Sequence, residues 1–133
     1  MTWLSGAAVL ACAFLFGGSL LFSSSVAAFL FAHLTADEAG RLLRRAFPWF
    51  YTWTIALAGI SALLSAPVDT AVAFALGAVA ASAVPARQGL MPAINRATDQ
   101  GRRRRFQVLH GISVSLTLVH LVVYAWVLLR LSL

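Results

Sequence analysis

Four stretches of this chain, roughly 4–33, 48–66, 69–86 and 106–131, are apolar over lengths that cross a bilayer, whose hydrocarbon takes about 20 helical residues. Nothing else in the sequence constrains the fold as strongly. A segment inside lipid must satisfy its backbone amides without water, so each stretch is expected to be a helix. With 133 residues, 61% hydrophobic and 11% charged, the chain reads as one domain: an all-α integral membrane four-helix bundle. "SAPVD" at 65–69 joins the second and third spans as a tight hairpin, with Pro67 and Asp69 suited to a helix start.

Charge placement orients the bundle. There is no lysine, and all ten basic residues are arginine. Arg41, Arg44 and Arg45 lie between spans one and two; Arg87, Arg96 and the run Arg102, Arg103, Arg104, Arg105 lie between spans three and four; Arg130 stands alone elsewhere. Both rich segments fall on one side. The positive-inside rule predicts that this side is cytoplasmic and that both termini face outward, N-out and C-out, in what is expected to be a bacterial inner membrane. Trp49 and Trp53 are expected at the inner interface, Trp3 and Trp126 at the outer.

A net charge of +6 would suggest nucleic acid in a soluble protein, but no aromatic platform or nucleic-acid fold accompanies it here. Anionic lipid is the expected partner of Arg41, Arg44, Arg45 and Arg102–Arg105, at about 1 kcal/mol per charge near the surface. In the first cytoplasmic segment, "TADEAGRLLRRAF" at 35–47, Thr35 and Glu38 have capping-box spacing and predict a short interfacial helix. The lone Cys12 excludes an internal disulfide and a cysteine-based zinc cluster. "VLAC" at 9–12 follows no basic segment, so neither lipidation nor signal cleavage is expected there.

Two sets of small residues predict helix contacts: Gly17, Ser24 and Ala28 in span one, and Ala73, Gly77 and Ala81 in span three. Small residues let membrane helices approach closely, inside the bundle or against another subunit or a second copy. Span four carries a polar stripe, His110, Ser113, Thr117, His120 and Tyr124, at spacings of three and four that place it on a single helical face. Tyr51, Thr54, Ser61 and Ser65 form a weaker match in span two. Hydroxyls inside membrane helices ordinarily bond a neighbouring helix or their own preceding turn. The histidines are the sharper candidates, because an ionisable side chain in a span is a functional-site hypothesis by default. His110 near the cytoplasmic end, with His33 at the end of span one or His120 at mid-depth, could bind haem or a metal ion; one ion cannot bridge His110 and His120, about 15 Å apart along the helix. No carboxylate lies within a span to orient a Ser–His pair, so an enzyme is not expected.

"FGGSLLFSSSVAAFLF", "LTADEAGRLLRRAFPWFY" and "FQVLHGIS" occur in that order. In this the chain resembles the transmembrane protein 205-like family, a domain of unknown function found in bacteria and eukaryotes. The similarity rests on Gly17, Gly40, Phe47, Pro48, Phe50 with Tyr51, Arg87 with Pro92, and His110-Gly111-x-Ser113, over about residues 15–122. Relatives often carry asparagine where this chain has Thr117, and His33 and His120 lie outside the pattern. The resemblance implies the four-span fold and favours a polar site of His110, Ser113, Tyr51 and Arg87, which Thr117 joins from the same stripe, with no established reaction.

The expectation from sequence is thus a non-enzymatic accessory subunit or binding module, packed against partner helices or its own copies and against anionic lipid. A haem or metal protein is the second reading. Transport of a small solute or proton along the facing stripes is the third.

Overall fold

The computed structural model describes residues 2–133. Four long helices account for nearly all of them: α1 (Trp3–His33), α2 (Ala36–Ser65), α3 (Thr70–Asp99) and α4 (Arg103–Ser132). Each is long and apolar enough to cross a membrane, and no strand occurs among the described residues. The helices run up and down in chain order. Each packs on the next and α4 closes on α1, while diagonal pairs barely meet. The fold is the four-helix membrane bundle expected.

The charged segments, however, are not loops. Residues 36–47 are helical, as the capping box at Thr35 implies: Thr35 Oγ1 accepts from the Glu38 amide at 3.3 Å, and Glu38 returns a carboxylate oxygen to the Thr35 amide at 3.2 Å. They do not form a separate interfacial helix, because α2 continues through Pro48 to Ser65. Proline inside a helix removes one backbone bond and costs about 3 kcal/mol. An aromatic clasp offsets that cost from both sides of the proline. Phe22 of α1 stacks flat on Phe50 at 4.5 Å and meets Phe47 edge-on at 5.3 Å. Rings on either side of Pro48 thus grip one partner, and the helix does not break.

The third span also outruns its expected end at 86. A wide π-type turn over Ala86–Leu90, with the Met91 amide reaching back to the Ala86 carbonyl, carries the helix on to Asp99. Pro92 lies just beyond and has no amide to give the Gln88 carbonyl, a local reason for the shifted register. The extension buries Met91, Ile94 and Ala97 along one face. It ends at Gly101, whose φ of 65° suits glycine, with the amides of Gly101 and Arg102 capping the Thr98 and Ala97 carbonyls. A second π-type turn, Phe22–Val26, interrupts α1 where Ser24 donates to the Leu20 carbonyl at 2.6 Å, competing with the backbone ladder.

Two cores stack along the bundle. Cys12, Leu15, Ala58, Val72, Leu76, Val79, Tyr124 and Val127 fill the arginine-poor half. Tyr51, Ala83, Ala86, Met91 and Ile94 fill the arginine-rich half. The small residues expected to pack lie elsewhere. Gly17, Ser24 and Ala28 are exposed on the outside of α1; Ala81 is exposed, and Ala73 and Gly77 are only half-buried beside the true α3 core face of Val72, Leu76, Val79 and Ala83. The close approach in α1 is at Gly18. A Cβ there would stand 2.9 Å from Cζ2 of Trp53 and closer still to Cη2, whereas at Gly17 it would meet nothing within 4 Å. Trp53 is therefore a packing residue rather than an interfacial anchor; Trp3 and Trp49 are exposed.

At the arginine-poor end Asp69 has two tasks. One carboxylate oxygen caps α3, accepting from the amides of Ala71 at 3.0 Å and Val72 at 3.2 Å; the other accepts from Arg130 Nε of α4 at 2.5 Å. The Arg130 guanidinium, with help from the two amides, holds this carboxyl below the usual carboxylate range. Arg130 also lies over the ring of Trp126, 5.3 Å from its centroid.

Two predictions follow from this packing. Gly18→Ala should destabilise the detergent-solubilised protein by about 1–3 kcal/mol through overpacking against Trp53, while Gly17→Ala stays within about 0.5 kcal/mol of wild type; paired thermal melts decide it. A depressed Asp69 pKa means its tie is complete above the unfolded value of about 4 and is lost as pH falls through the lower folded value. Melting temperature should accordingly drop in that acid range, Asp69→Asn should shrink the drop, and Asp69→Ala should melt below Asp69→Asn at neutral pH because it also loses the cap.

Candidate functional site

The polar stripe of α4 divides on folding. Ser113, His120 and Tyr124 turn into the bundle, Thr117 is half-buried beside them, and His110 is exposed. His110 falls at the edge of the stripe, three residues before Ser113, and that offset puts it outside the helix contact. Its ring stacks on Phe106 of its own helix, with centroids 5.4 Å apart and planes within 7°. The expected polar site of His110, Ser113, Tyr51 and Arg87 is therefore not assembled as one cluster. Tyr51 and Ser113 do meet, hydroxyl to hydroxyl at 3.5 Å, both buried. This long contact links α2 to α4 across the diagonal of the bundle.

Arg87 turns away to the outside of the α2–α3 pair. Its Nε donates to the Pro48 carbonyl at 3.2 Å and to Thr52 Oγ1 at 2.9 Å, and its Nη1 donates to Gln88 Oε1 at 3.2 Å. Thr52 donates in turn to the same Pro48 carbonyl at 2.8 Å. The family-like residues Pro48 and Arg87 thus belong to a second polar group, separate from Tyr51 and Ser113.

Deeper in the bundle His120 Nε2 lies 2.8 Å from Ser82 Oγ of α3. Ser82 spends its own proton on the Val79 carbonyl at 3.0 Å, which assigns Nε2–H as the donor. Ser82 is the one polar residue between Thr70 and Arg87 other than the backbone itself, and that isolation was the available signal for it. One turn on, Cys12 Sγ of α1 donates to the Tyr124 carbonyl at 3.6 Å, and Ser61 Oγ of α2 donates to the Ala8 carbonyl of α1 at 3.2 Å. The Tyr124 hydroxyl ends beside Ser19 without a well-formed bond and is the one buried side-chain polar atom lacking a partner among the described residues.

Most other hydroxyls satisfy themselves. Thr54, Ser65 and Thr117 donate to carbonyls four residues back, at 2.7–3.1 Å. Such back-bonding is the ordinary way to carry Ser and Thr in a membrane helix. The interior is accordingly a seam of neutral hydrogen bonds between helices. Among the described residues it contains no buried carboxylate to orient a histidine, and Ser113 meets the Tyr51 hydroxyl rather than a base.

The remaining candidates scatter. His33 is exposed, stacked on Phe29 with its Nδ1 2.9 Å from the Phe29 carbonyl. Among the described residues no group of three or more His, Cys, Asp or Glu could hold a metal ion. His33, His110 and His120 are each engaged on separate local partners. Of the arginines expected at lipid headgroups, Arg44 is instead bound to α3, bidentate on Asp99 at 2.6 and 3.1 Å and reaching the Asn95 carbonyl at 3.4 Å. Arg41 pairs loosely with Asp37 at 3.9 Å. Arg45 and Arg102–Arg105 are exposed with no carboxylate within ion-pair distance among the described residues.

The histidines should separate by stability. His120→Ala leaves a void and breaks the α3–α4 bond, an expected loss of about 1–3 kcal/mol; His110→Ala should stay within about 0.5 kcal/mol. Thermal melts of the two variants in one detergent measure the difference.

A family model for a domain of unknown function, DUF4149, matches residues 10–103. No curated protein and no solved structure matches the chain.

Proposed function

The chain belongs to the DUF4149 family, a domain of unknown function, and from its geometry we propose a non-enzymatic accessory subunit or binding module of the bacterial inner membrane. The observation that carries this reading is the division of charge. Nine of the ten arginines stand at one end of the bundle with three carboxylates, and the other end carries the Asp69–Arg130 pair. That asymmetry fits an arginine-rich end held in the cytoplasm against anionic headgroups, with the termini outside. The outward-facing small residues Gly17, Ser24 and Ala28 on α1 support contact with partner helices, since all three are exposed on the outside of the bundle. The motifs at 47–51 and 110–113 support reading the family match as the transmembrane protein 205-like kind.

Cysteine labelling tests the orientation and crosslinking tests the role. On a Cys12→Ser background, Gln100→Cys should be shielded from a membrane-impermeant maleimide in intact cells and Val68→Cys should react; the reverse pattern overturns the topology. Crosslinking in native membranes should trap a partner or a second copy through α1. A protein that runs as a lone monomer and crosslinks to nothing is not a subunit.

A further inference from the structure

Arg87 keeps an uncompensated charge where lipid hydrocarbon begins. It stands 17 residues along α3 from Thr70, about 25 Å at 1.5 Å per residue, against a hydrocarbon thickness of about 30 Å. Arginines near a helix end ordinarily snorkel outward to water. Here the direction of the helix opposes that, because side chains lean toward the helix N-terminus, which for α3 is the arginine-poor end. The guanidinium instead reaches across to α2, with Nε on the Pro48 carbonyl and Thr52 Oγ1.

Every acceptor it has found is neutral. The third is Gln88 Oε1, and the ion pairs of the described residues all use other arginines. Two anchored donors fix the plane of the guanidinium, and Nη2 has no partner among the described residues. A fixed cation at this depth with open donors calls for an anion, and the anion available in a membrane is a lipid phosphate. The surroundings suit one. Thr52, Trp49 and Arg45 are exposed along one face of α2 at helical spacing, so this face runs from Thr52, the partner of Arg87, up to a second arginine with no carboxylate in ion-pair distance among the described residues. Trp49, 77% exposed, stands between them at the level where indoles flank headgroups.

The geometry points to a headgroup site on the outer face of the α2–α3 pair, where Arg87 binds the phosphodiester of an anionic phospholipid. The site rests on the reading that the arginine-rich end faces anionic lipid, and it assigns that contact to residues outside the Arg102–Arg105 run. Zwitterionic lipid fits less well, because its ammonium group would meet Arg45. Thr52 is a positioning residue: it holds Nε so that the far edge of the guanidinium faces lipid.

Native mass spectrometry of the whole chain, released from neutral detergent after titration with phosphatidylglycerol or phosphatidylcholine, tests this. Wild type should retain one phosphatidylglycerol through activation that strips phosphatidylcholine. Arg87→Gln should weaken that retention about tenfold, the loss of one charge-assisted contact. Thr52→Val, which keeps the charge, should weaken it less, and it carries the test if Arg87→Gln does not fold by circular dichroism and gel filtration. Equal retention by the folded variants and wild type overturns the site. If retention falls only when Arg102–Arg105 are changed to glutamine, the site at Arg87 is wrong but the lipid-facing reading stands; if no variant changes it, both fall. Displacement of the lipid by millimolar inorganic phosphate would make this a free-anion site and overturn the assignment to lipid.

Discussion

A backbone amide inside hydrocarbon has no water to bond, and the rest of this structure depends on that constraint. A chain that enters the membrane as a helix must leave it as one. The three internal prolines of α2 and α3 therefore stand in their helices without ending them. At Pro48 the Phe22–Phe47–Phe50 clasp holds the two sides together. Between Pro85 and Pro92 a wide turn changes register and keeps the ladder continuous. The same turn sets the azimuth of Arg87 and of the amphipathic extension beyond it, so local backbone chemistry and the outer polar group are one problem.

Polar side chains obey the same rule on a smaller scale. Hydroxyls either return to a carbonyl one turn back or bond a neighbouring helix, as Ser82 does with His120 and Ser61 with the Ala8 carbonyl. Each interhelical bond is worth about 1 kcal/mol in membranes, so the seam gives register more than strength. Close apolar packing supplies the rest, most visibly where Trp53 lies over the bare backbone of Gly18. The Tyr124 hydroxyl is the exception, buried beside Ser19 without a partner.

Charge is organised by end rather than by pair. Arg44 on Asp99 locks α2 to the end of α3, and Arg130 on Asp69 locks α4 to its start. These exposed pairs contribute little energy individually. They fix which ends of which helices meet, and among the described residues they leave the other arginines of the rich end, Arg41 loosely beside Asp37 excepted, without acidic partners.

Much of this was legible in the sequence. Four apolar runs determine four helices, because length and hydropathy act residue by residue and need no partner. The capping box at Thr35 and the cap at Asp69 are local for the same reason. The helix ends were misjudged in "TADEAGRLLRRAF" and beyond Pro85, since charge alone does not stop a helix whose apolar face finds a neighbour. The polar stripe of α4 was legible as a stripe, but periodicity gives a face and not its partner. Folding chose Ser113, His120 and Tyr124 for the interior, left His110 outside on Phe106, and turned Arg87 from Tyr51 to Thr52. Likewise the glycine that matters is Gly18 and not Gly17, because one residue is about 100° of rotation and only the seat of Trp53 decides which of the two it covers. What belongs to single helices the sequence determined; what belongs to the angle between two helices only the packed bundle decided.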